Sequence, residues 1–315
     1  MSGKIAYVFP GQGSQTVGMG KALAAEFPEA REIFERADAA LGEKLTELIF
    51  EGPEEALRLT ANTQPAILTV SVAAHAVLAK RAKAAPVLVA GHSLGEWSAL
   101  VAAGTLSLED AVKAVRARGR FMQEAVPAGV GAMAAIIGLD PEVVKQACDE
   151  SAGAEVVAPA NYNSPEQTVI AGHAAAVERA MARCKELGAK RALPLPVSAP
   201  FHCSLMEPVK PRLADVLAPM AVHAPAVPVV TNVEAAPNAD ASRVVPLLLA
   251  QVTAPVRWIE CTRAMVAGGV GRFVELGPGK VLGGLIKRID KTVETFNVED
   301  PASLAKTLAG LGEEA

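Results

Sequence analysis

The feature that most constrains the fold is an apolar run that stops at a sharp turn and restarts as a helix. Residues 86–90 read PVLVA, which is typical of a buried strand, and a helical pattern begins near Glu96 and ends before Gly104. Between them lies the sequence GHSLG at 91–95, whose two glycines allow the backbone to turn sharply. A buried strand followed at once by a helix predicts a parallel sheet covered by helices, with Ser93 exposed at the turn.

The turn at Ser93 also has a chemical meaning. A serine hydroxyl is a weak nucleophile at neutral pH, so it needs a neighbouring base and donors for the charge that develops on a carbonyl oxygen. A strand-turn-helix setting exposes the serine and directs the main-chain N–H of Leu94 to where such an oxyanion would form. The alternative is a glycine-rich turn without chemistry. The apolar strand before the turn and the helix after it favour a nucleophilic serine and acyl chemistry.

The rest of the chain alternates strands and helices, with one change of pattern. Residues 131–195 follow the order β-α-β-β-α-β of a ferredoxin-like module. A chain of 315 residues is long enough for one large α/β domain that carries such an insertion. We therefore predict an α/β fold. An α/β-hydrolase-like large subdomain with a parallel-sheet core spans 1–126 and 200–315, and the inserted ferredoxin-like subdomain spans 127–199.

Composition excludes several classes of protein. Hydrophobic residues make up 51% of the chain and charged residues 20%, which allows a sizeable core and argues against global disorder. A net charge of −4 gives no reason to expect nucleic-acid binding. No signal peptide precedes the first strand pattern, and no apolar stretch reaches membrane-spanning length without interruption. The cysteines form no C-x-x-C pair, which favours a reduced cytoplasmic protein. They are Cys148, Cys184, Cys203 and Cys261.

The chain has five histidines that could serve as a base for Ser93. His202 lies where the inserted module returns to the large subdomain, and catalytic residues are common on such junction loops. His92 is adjacent to Ser93 and leaves the turn in another direction, so it is at most a supporting residue. The others lie in a helical run, at a helix start and in a proline-rich loop (His75, His173 and His223). Position favours His202 modestly. The neighbouring Cys203 is a weaker candidate nucleophile, because a thiol beside its base in sequence does not usually face it.

Arg118 lies at the edge of the apolar stripe of an amphipathic helix predicted for 107–126. A guanidinium in that position either extends to solvent or pairs with an anion. Its planar fork binds carboxylates through two parallel hydrogen bonds, so a substrate carboxylate is a candidate partner. Arg116 and Arg120 fall on the polar side of the helix and are predicted to be solvated. The residue pattern leaves both interpretations of Arg118 open.

Seven motifs in order resemble a known family, the malonyl-CoA:acyl carrier protein transacylases, which are the stand-alone acyltransferases of bacterial fatty-acid synthesis. The resemblance runs nearly end to end. The motifs are FPGQG at 9–13, TQPA at 63–66, GHSLGE at 91–96, RGRFM at 118–122, NYNSP at 161–165, VSAPFH at 197–202 and ELGPG at 275–279.

The resemblance implies roles for the residues around the turn. Ser93 would carry the acyl group and His202 would act as its base. A main-chain carbonyl, which maps to Gln251, would orient the histidine in place of an acid. The oxyanion hole would consist of the main-chain N–H groups of Gln12 and Leu94.

The resemblance also implies a set of substrate-binding residues. Arg118 would bind the free carboxylate of the malonyl group, and Gln12 would also contact the substrate. Asn161 and Asn163 would lie near the cleft between the two subdomains. In related polyketide acyltransferase domains, phenylalanine before the histidine goes with malonyl and serine with methylmalonyl. Stand-alone enzymes of the family often have serine there and still use malonyl, so Phe201 agrees with malonyl without being required for it.

The implied activity is ping-pong transfer of malonyl from malonyl-CoA to the phosphopantetheine thiol of acyl carrier protein, feeding fatty-acid synthesis. It implies no metal or other cofactor, no nucleic-acid or membrane partner, and a cytoplasmic monomer. Three alternatives remain: a trans-acting malonyl acyltransferase of a polyketide pathway, a serine thioesterase or hydrolase, and a non-catalytic scaffold that binds acyl carrier protein. A hydrolase is disfavoured because no acidic residue stands out as support for the base, and because Arg118 would have no role.

Overall fold

The computed structural model of the chain describes residues 3–127, 129–197 and 199–313. The strands are β1 (Lys4–Phe9), β2 (Leu88–Gly91), β3 (Gly131–Ile137), β4 (Val157–Ser164), β5 (Gln167–His173), β6 (Arg191–Pro194), β7 (Val229–Val230), β8 (Pro237–Asn238), β9 (Val270–Leu276) and β10 (Glu294–Val298). The helices are α1 (Lys21–Glu26), α2 (Pro28–Leu41), α3 (Leu45–Glu51), α4 (Glu54–Leu57), α5 (Thr60–Ala79), α6 (Gly95–Ala102), α7 (Leu108–Glu124), α8 (Pro141–Ala152), α9 (Ala174–Glu186), α10 (Val209–Leu217), α11 (Ala241–Gln251), α12 (Trp258–Ala267), α13 (Val281–Ile289) and α14 (Pro301–Leu311), with a 3₁₀ turn at Ser204–Met206.

The large sheet has the order β10-β9-β1-β2-β7-β8 and is parallel except for the edge strand β8. Strand β1 is central in this sheet, and its side chains pack alternately into two different cores. Ile5, Tyr7 and Phe9 pack into the cluster formed with α2, α5 and α7, whereas Ala6 and Val8 pack into the cluster formed with α12 and α13. A strand covered on both faces has no polar side, which is the continuous apolar pattern of a parallel sheet.

The small sheet is antiparallel and has the order β4-β5-β3-β6. Helices α8 and α9 connect its strands in the sequence β-α-β-β-α-β, and both pack on one face in a third cluster. The predicted α/β fold, with a parallel-sheet core and a ferredoxin-like unit, is therefore confirmed. The division at 126/127 and 199/200 stays a prediction. Six residues within the predicted segments lie outside the described ranges: Met1, Ser2, Ala128, Ser198, Glu314 and Ala315.

The second face of the small sheet lies against the large subdomain. Met133 and Ala135 of β3 join the main cluster, while the alternate residue Ile136 faces α8 and α9. Two main-chain hydrogen bonds join the subdomains directly, since Val256 accepts from the Tyr162 N–H at 2.9 Å and its own N–H donates to Ala160 at 2.8 Å. This contact fixes the walls of a cleft between the two sheets.

The turn between β2 and α6 depends on its two glycines because of close packing. A Cβ added at Gly91 would lie 1.9 Å from the carbonyl carbon of Gly95, and one added at Gly95 would lie 2.0 Å from the carbonyl oxygen of Phe9. Neither position has room for a side chain. The spacing of the two glycines is therefore what allows the turn to lie against the end of β1.

Arg116 differs from the sequence prediction. Its side chain is only 20% exposed and donates a hydrogen bond to the carbonyl of Ala61 at 3.1 Å. Pro65 lies inside α5 and has no N–H for that carbonyl, four residues earlier. The arginine supplies the missing donor, which is why it is drawn in from solvent. Arg120 is exposed, as predicted.

Three properties of the described ranges bear on the classes of protein considered above. No helix there is long and apolar enough to cross a membrane. No group of three potential metal-ligating side chains occurs in that part of the chain. All four cysteines are buried and free.

Candidate active site

Ser93 and His202 lie in direct contact although 109 positions separate them in the chain. Ser93 Oγ is 2.7 Å from His202 Nε2. Both residues have left-handed backbone conformations, with φ of 51° at Ser93 and 58° at His202. Such conformations are costly for residues other than glycine and are concentrated at functional sites, where the surrounding structure enforces them.

The second ring nitrogen of His202 fixes the tautomer of the imidazole. Nδ1 lies 3.0 Å from the carbonyl oxygen of Gln251 and 3.1 Å from that of Ala254. Carbonyl oxygens only accept, so Nδ1 carries the proton and Nε2 presents a lone pair to the Ser93 hydroxyl. Burial and the nearby charge of Arg118 lower the pKa of His202 to about 3. The imidazole is therefore neutral at physiological pH and able to accept the serine proton.

Arg118 is buried, at 1% exposure, so its guanidinium does not extend to solvent. Nη1 donates to Gln64 Oε1 at 2.8 Å, and Nη2 donates to Gln251 Oε1 at 3.1 Å and to Ser93 Oγ at 3.4 Å. Among the described residues, nothing accepts a hydrogen bond from its Nε. Burial lowers the pKa of Arg118 to about 10, which leaves it charged at neutral pH. The site thus holds a buried cation with donor capacity for an anion.

A small inner cavity of about 100 Å³ joins these groups. Ser93, His202 and Arg118 line it, and Phe201 and Met133 contribute apolar wall. Both apolar side chains are buried, at 8% and 5% exposure. The cavity therefore offers a short acyl group one reactive hydroxyl, one cation and an apolar boundary.

A larger cleft of about 510 Å³ lies between the two sheets. Asn161 lines both the cleft and the inner cavity, whereas Asn163 lines only the cleft. The Oδ1 atom of Asn163 lies 2.8 Å from Nε2 of His92, which therefore supports the cleft wall rather than Ser93. The structure brings both asparagines to the cleft that the sequence analysis expected, at different depths.

The two expected oxyanion donors, Gln12 and Leu94, also line the inner cavity. A Cβ added at Gly11 would lie 2.5 Å from the carbonyl oxygen of His92, so the loop after β1 lies directly against the turn that carries Ser93. The Gln12 side chain donates from Nε2 to Thr60 Oγ1 at 3.3 Å. Within residues 3–127, 129–197 and 199–313, the main-chain N–H groups of Gln12 and Leu94 donate to no other group. Both amides are available to an acyl oxygen.

Two buried polar residues behind Ser93 were missed by the sequence analysis. Asn232, after β7, accepts from the Ser93 N–H at 2.7 Å and donates through Nδ2 to the carbonyl of Gly91 at 2.7 Å. Glu96 accepts from the Asn232 N–H at 2.9 Å and is 2% exposed. A signal for Glu96 was present, because it is the one charged residue in the first turn of a short, mostly apolar helix. No local pattern marks Asn232.

Comparisons with known proteins give a consistent result. A family model described as "Acyl transferase domain" matches residues 6–308. The chain is 52% identical over 305 residues to the malonyl CoA-acyl carrier protein transacylase of Escherichia coli K12, covering 97% of this chain and 99% of that protein. The solved acyl carrier protein S-malonyltransferase of Vibrio cholerae is 51% identical with a TM-score of 0.94, covering 96% and 99%. A malonyl-transacylase solved with a type II polyketide acyl-carrier protein is 48% identical with a TM-score of 0.95, covering 98% and 99%.

Proposed function

The chain belongs to the acyl transferase domain family and, within it, to the malonyl CoA-acyl carrier protein transacylases. On that basis we propose a mechanism by which its site transfers malonyl. The malonyl group passes from malonyl-CoA to the phosphopantetheine thiol of acyl carrier protein and feeds fatty-acid synthesis. Ser93 carries it between the two thiols. The observation that supports this role most strongly is the 2.7 Å contact between Ser93 Oγ and the proton-accepting nitrogen of His202.

The first half-reaction acylates the serine. His202 Nε2 takes the proton of the Ser93 hydroxyl as its oxygen attacks the thioester carbonyl of malonyl-CoA. The carbonyl oxygen becomes negative and accepts hydrogen bonds from the main-chain amides of Gln12 and Leu94; one such donor lowers a barrier by about 3–4 kcal/mol. The carbon–sulfur bond then breaks, and the CoA sulfur leaves with the proton that His202 had taken.

The second half-reaction repeats the chemistry with a new thiol. The phosphopantetheine thiol of the carrier protein gives its proton to His202, and its sulfur attacks the carbonyl of malonyl-Ser93. The bond to Ser93 Oγ breaks, and His202 returns the proton to the serine. The main-chain carbonyls of Gln251 and Ala254 keep the imidazole in the required tautomer throughout, and they stabilise the transient imidazolium.

Arg118 selects the acyl group. Its guanidinium lines the same cavity as Ser93, and its Nη2 lies 3.4 Å from Ser93 Oγ. The free carboxylate of malonyl supplies both a counter-charge and an acceptor there, whereas an acetyl group supplies neither. The apolar side chain of Phe201 bounds the space beside the reacting carbonyl, which suits an acyl chain without a branch at its second carbon.

The outer cleft accommodates the thiol carriers. Asn161, at the inner end, and Asn163 and Gln12, along the wall, offer amide groups to the pantetheine arm that both CoA and acyl carrier protein present. The two half-reactions thus use one route to Ser93. We assign no role to nucleic acid or membrane. The exchange of one thioester for another changes no oxidation state, so the proposed reaction needs no cofactor. A cytoplasmic monomer completes the proposal, and the free cysteines support the reducing compartment.

The experiment that tests the function compares thiol and water as acceptors. Purified protein with malonyl-CoA should produce malonyl-carrier protein when the holo carrier protein is added, and little free malonate in its absence. Rapid release of malonate without a carrier protein would indicate a hydrolase. Carrier-protein binding without any acyl transfer would indicate a scaffold.

A further inference from the structure

Gln251 contacts other residues of the site through its side chain as well as through its main-chain carbonyl. Its main-chain oxygen accepts from His202, and its Oε1 accepts from Arg118 at 3.1 Å. Its Nε2 donates to Glu96 Oε2 at 2.8 Å and to the carbonyl of Ser93 at 3.1 Å. The residue is wholly buried. One amide therefore lies between a buried cation and a buried carboxylate.

Glu96 determines which way that amide points. A carboxylate only accepts and a guanidinium only donates, so Nε2 of Gln251 must face Glu96 and Oε1 must face Arg118. The reverse orientation would set donor against donor and acceptor against acceptor. Without Glu96, the orientation would rest on Arg118, the Ser93 carbonyl and a longer contact of 3.4 Å to Asn232 Oδ1. The carboxylate thus directs a carbonyl oxygen onto the guanidinium that we propose binds the substrate.

Glu96 acts on the nucleophile through a second amide. The same oxygen, Oε2, accepts from the main-chain N–H of Asn232. The side chain of Asn232 then bridges the Ser93 N–H and the Gly91 carbonyl across the turn. A single carboxylate oxygen therefore supports both the strained backbone of Ser93 and the position of Arg118.

The charge of Glu96 matters as well as its shape. Burial raises the pKa of Glu96 to about 7. Hydrogen bonds from Asn232 and Gln251 and the charge of Arg118 lower the same pKa, but burial has the larger effect. Above that pH the carboxylate offsets part of the arginine's positive potential at the acyl cavity. A malonyl carboxylate is then held less strongly, which matters because each acyl group must leave again on the carrier protein.

We propose that Glu96 is a positioning residue for malonyl transfer, which orients Gln251 and Asn232 and moderates the hold of Arg118 on the substrate carboxylate. The proposal rests on the proposed function. It predicts that two substitutions of Glu96 change acyl selectivity in opposite directions. Glu96→Gln retains an oxygen acceptor for both N–H groups and removes the charge. Glu96→Leu removes the acceptor and the charge together.

The test is kcat/KM for malonyl-CoA and for acetyl-CoA at pH 8, with holo acyl carrier protein as acceptor. For Glu96→Gln, the malonyl-to-acetyl ratio should rise roughly tenfold, mainly through a lower KM for malonyl-CoA, as expected for unit charges about 10 Å apart at an effective dielectric constant of about 20. For Glu96→Leu, the ratio should fall below that of the wild type, because Gln251 and Asn232 lose their shared acceptor, and the displacement of Arg118 that follows outweighs the gain from the lost charge. Glu275→Gln is the matched control. Glu275 is also buried, its pKa is also raised to about 7, and it accepts from main-chain N–H groups away from Ser93.

Other outcomes overturn the proposal. A ratio for Glu96→Gln that stays at the wild-type value or falls means that Glu96 does not moderate Arg118. Equal losses for both acyl groups in Glu96→Leu mean that the carboxylate only stabilises the fold. Failure of the proposed function is distinguishable, because wild-type protein would then give no malonyl-carrier protein. Thermal unfolding of each variant identifies any that is not folded, and the near-isosteric Glu96→Gln then decides the matter.

Discussion

Replacing Arg118 with alanine removes a buried guanidinium that three neighbours contact. The substitution breaks the hydrogen bonds to Gln64 and Gln251, at 2.8 and 3.1 Å, and the longer contact to Ser93 Oγ. These losses affect every acyl substrate alike, because they exist before any substrate binds. A malonyl carboxylate would lose its counter-charge in addition. The ratio of malonyl to acetyl transfer therefore isolates the contribution of the substrate carboxylate.

The size of that contribution follows from burial. Arg118 is 1% exposed, and leaving one partner of a buried ion pair unpaired costs about 3–5 kcal/mol. Since about 1.4 kcal/mol corresponds to a factor of ten, we expect the malonyl-to-acetyl ratio of kcat/KM to fall by roughly 10²- to 4 × 10³-fold. The losses that the two substrates share lower both values and cancel in the ratio.

The assay measures the initial rate of acyl-carrier protein formation from each CoA ester over a range of concentrations. Arg120→Ala is the control, because Arg120 lies on the same helix with its side chain 61% exposed and should leave the ratio unchanged. If Arg118→Ala lowered malonyl and acetyl transfer by the same factor, Arg118 would be a structural residue, and the assignment of the substrate carboxylate to it would be wrong.

Two further predictions concern neighbours of this site, and a third concerns a buried carboxyl away from it. Phe201→Ser should enlarge the inner cavity and raise methylmalonyl transfer relative to malonyl by about tenfold, measured by competition between the two CoA esters. Asn232→Ala should lower malonyl and acetyl transfer equally, because it supports the Ser93 turn and no acyl group; a selective loss would contradict that role. Burial raises the pKa of Glu275 from 4.5 to about 7, so the folded state holds a proton that the unfolded state releases, and the contribution of Glu275 to the free energy of unfolding should fall as the pH rises from about 4.5 to 7. Glu275→Gln should remove up to about 3 kcal/mol of that fall, measured by urea unfolding at pH 5 and pH 8, and an unchanged difference would show that the carboxyl is not protonated in the folded state.

Local sequence predicts the elements around Ser93 well because their causes are local. An apolar strand, two glycines and an apolar helix determine the turn between β2 and α6, and packing at Gly91 and Gly95 shows why no other residue fits. The order of strands and helices likewise predicts the small sheet. Position along the chain favoured His202 only modestly, since its contact with Ser93 depends on how the two subdomains meet.

The buried polar network around Arg118 could not be predicted from the sequence, for a different reason. Arg118 was placed at the edge of an apolar stripe, but a helix pattern does not say that a second helix covers that edge. The acceptors of its guanidinium, Gln64 and Gln251, come from α5 and α11, and the spacing of residues along one helix contains no information about another. The prediction that Arg116 is solvated was wrong, because its partner is a carbonyl that Pro65 leaves without a donor.

The central claim is that Ser93 carries the acyl group, and the most direct test is the intact mass of the protein after brief mixing with malonyl-CoA. Wild-type protein should gain the mass of one malonyl group, located at Ser93 by peptide mapping, and lose it when holo acyl carrier protein is added. Ser93→Ala should gain none, whereas Ser98→Ala, in the buried helix α6 that follows, should acylate normally. A malonyl adduct that persists in Ser93→Ala, or transfer to the carrier protein by that variant at the wild-type rate, would contradict the claim.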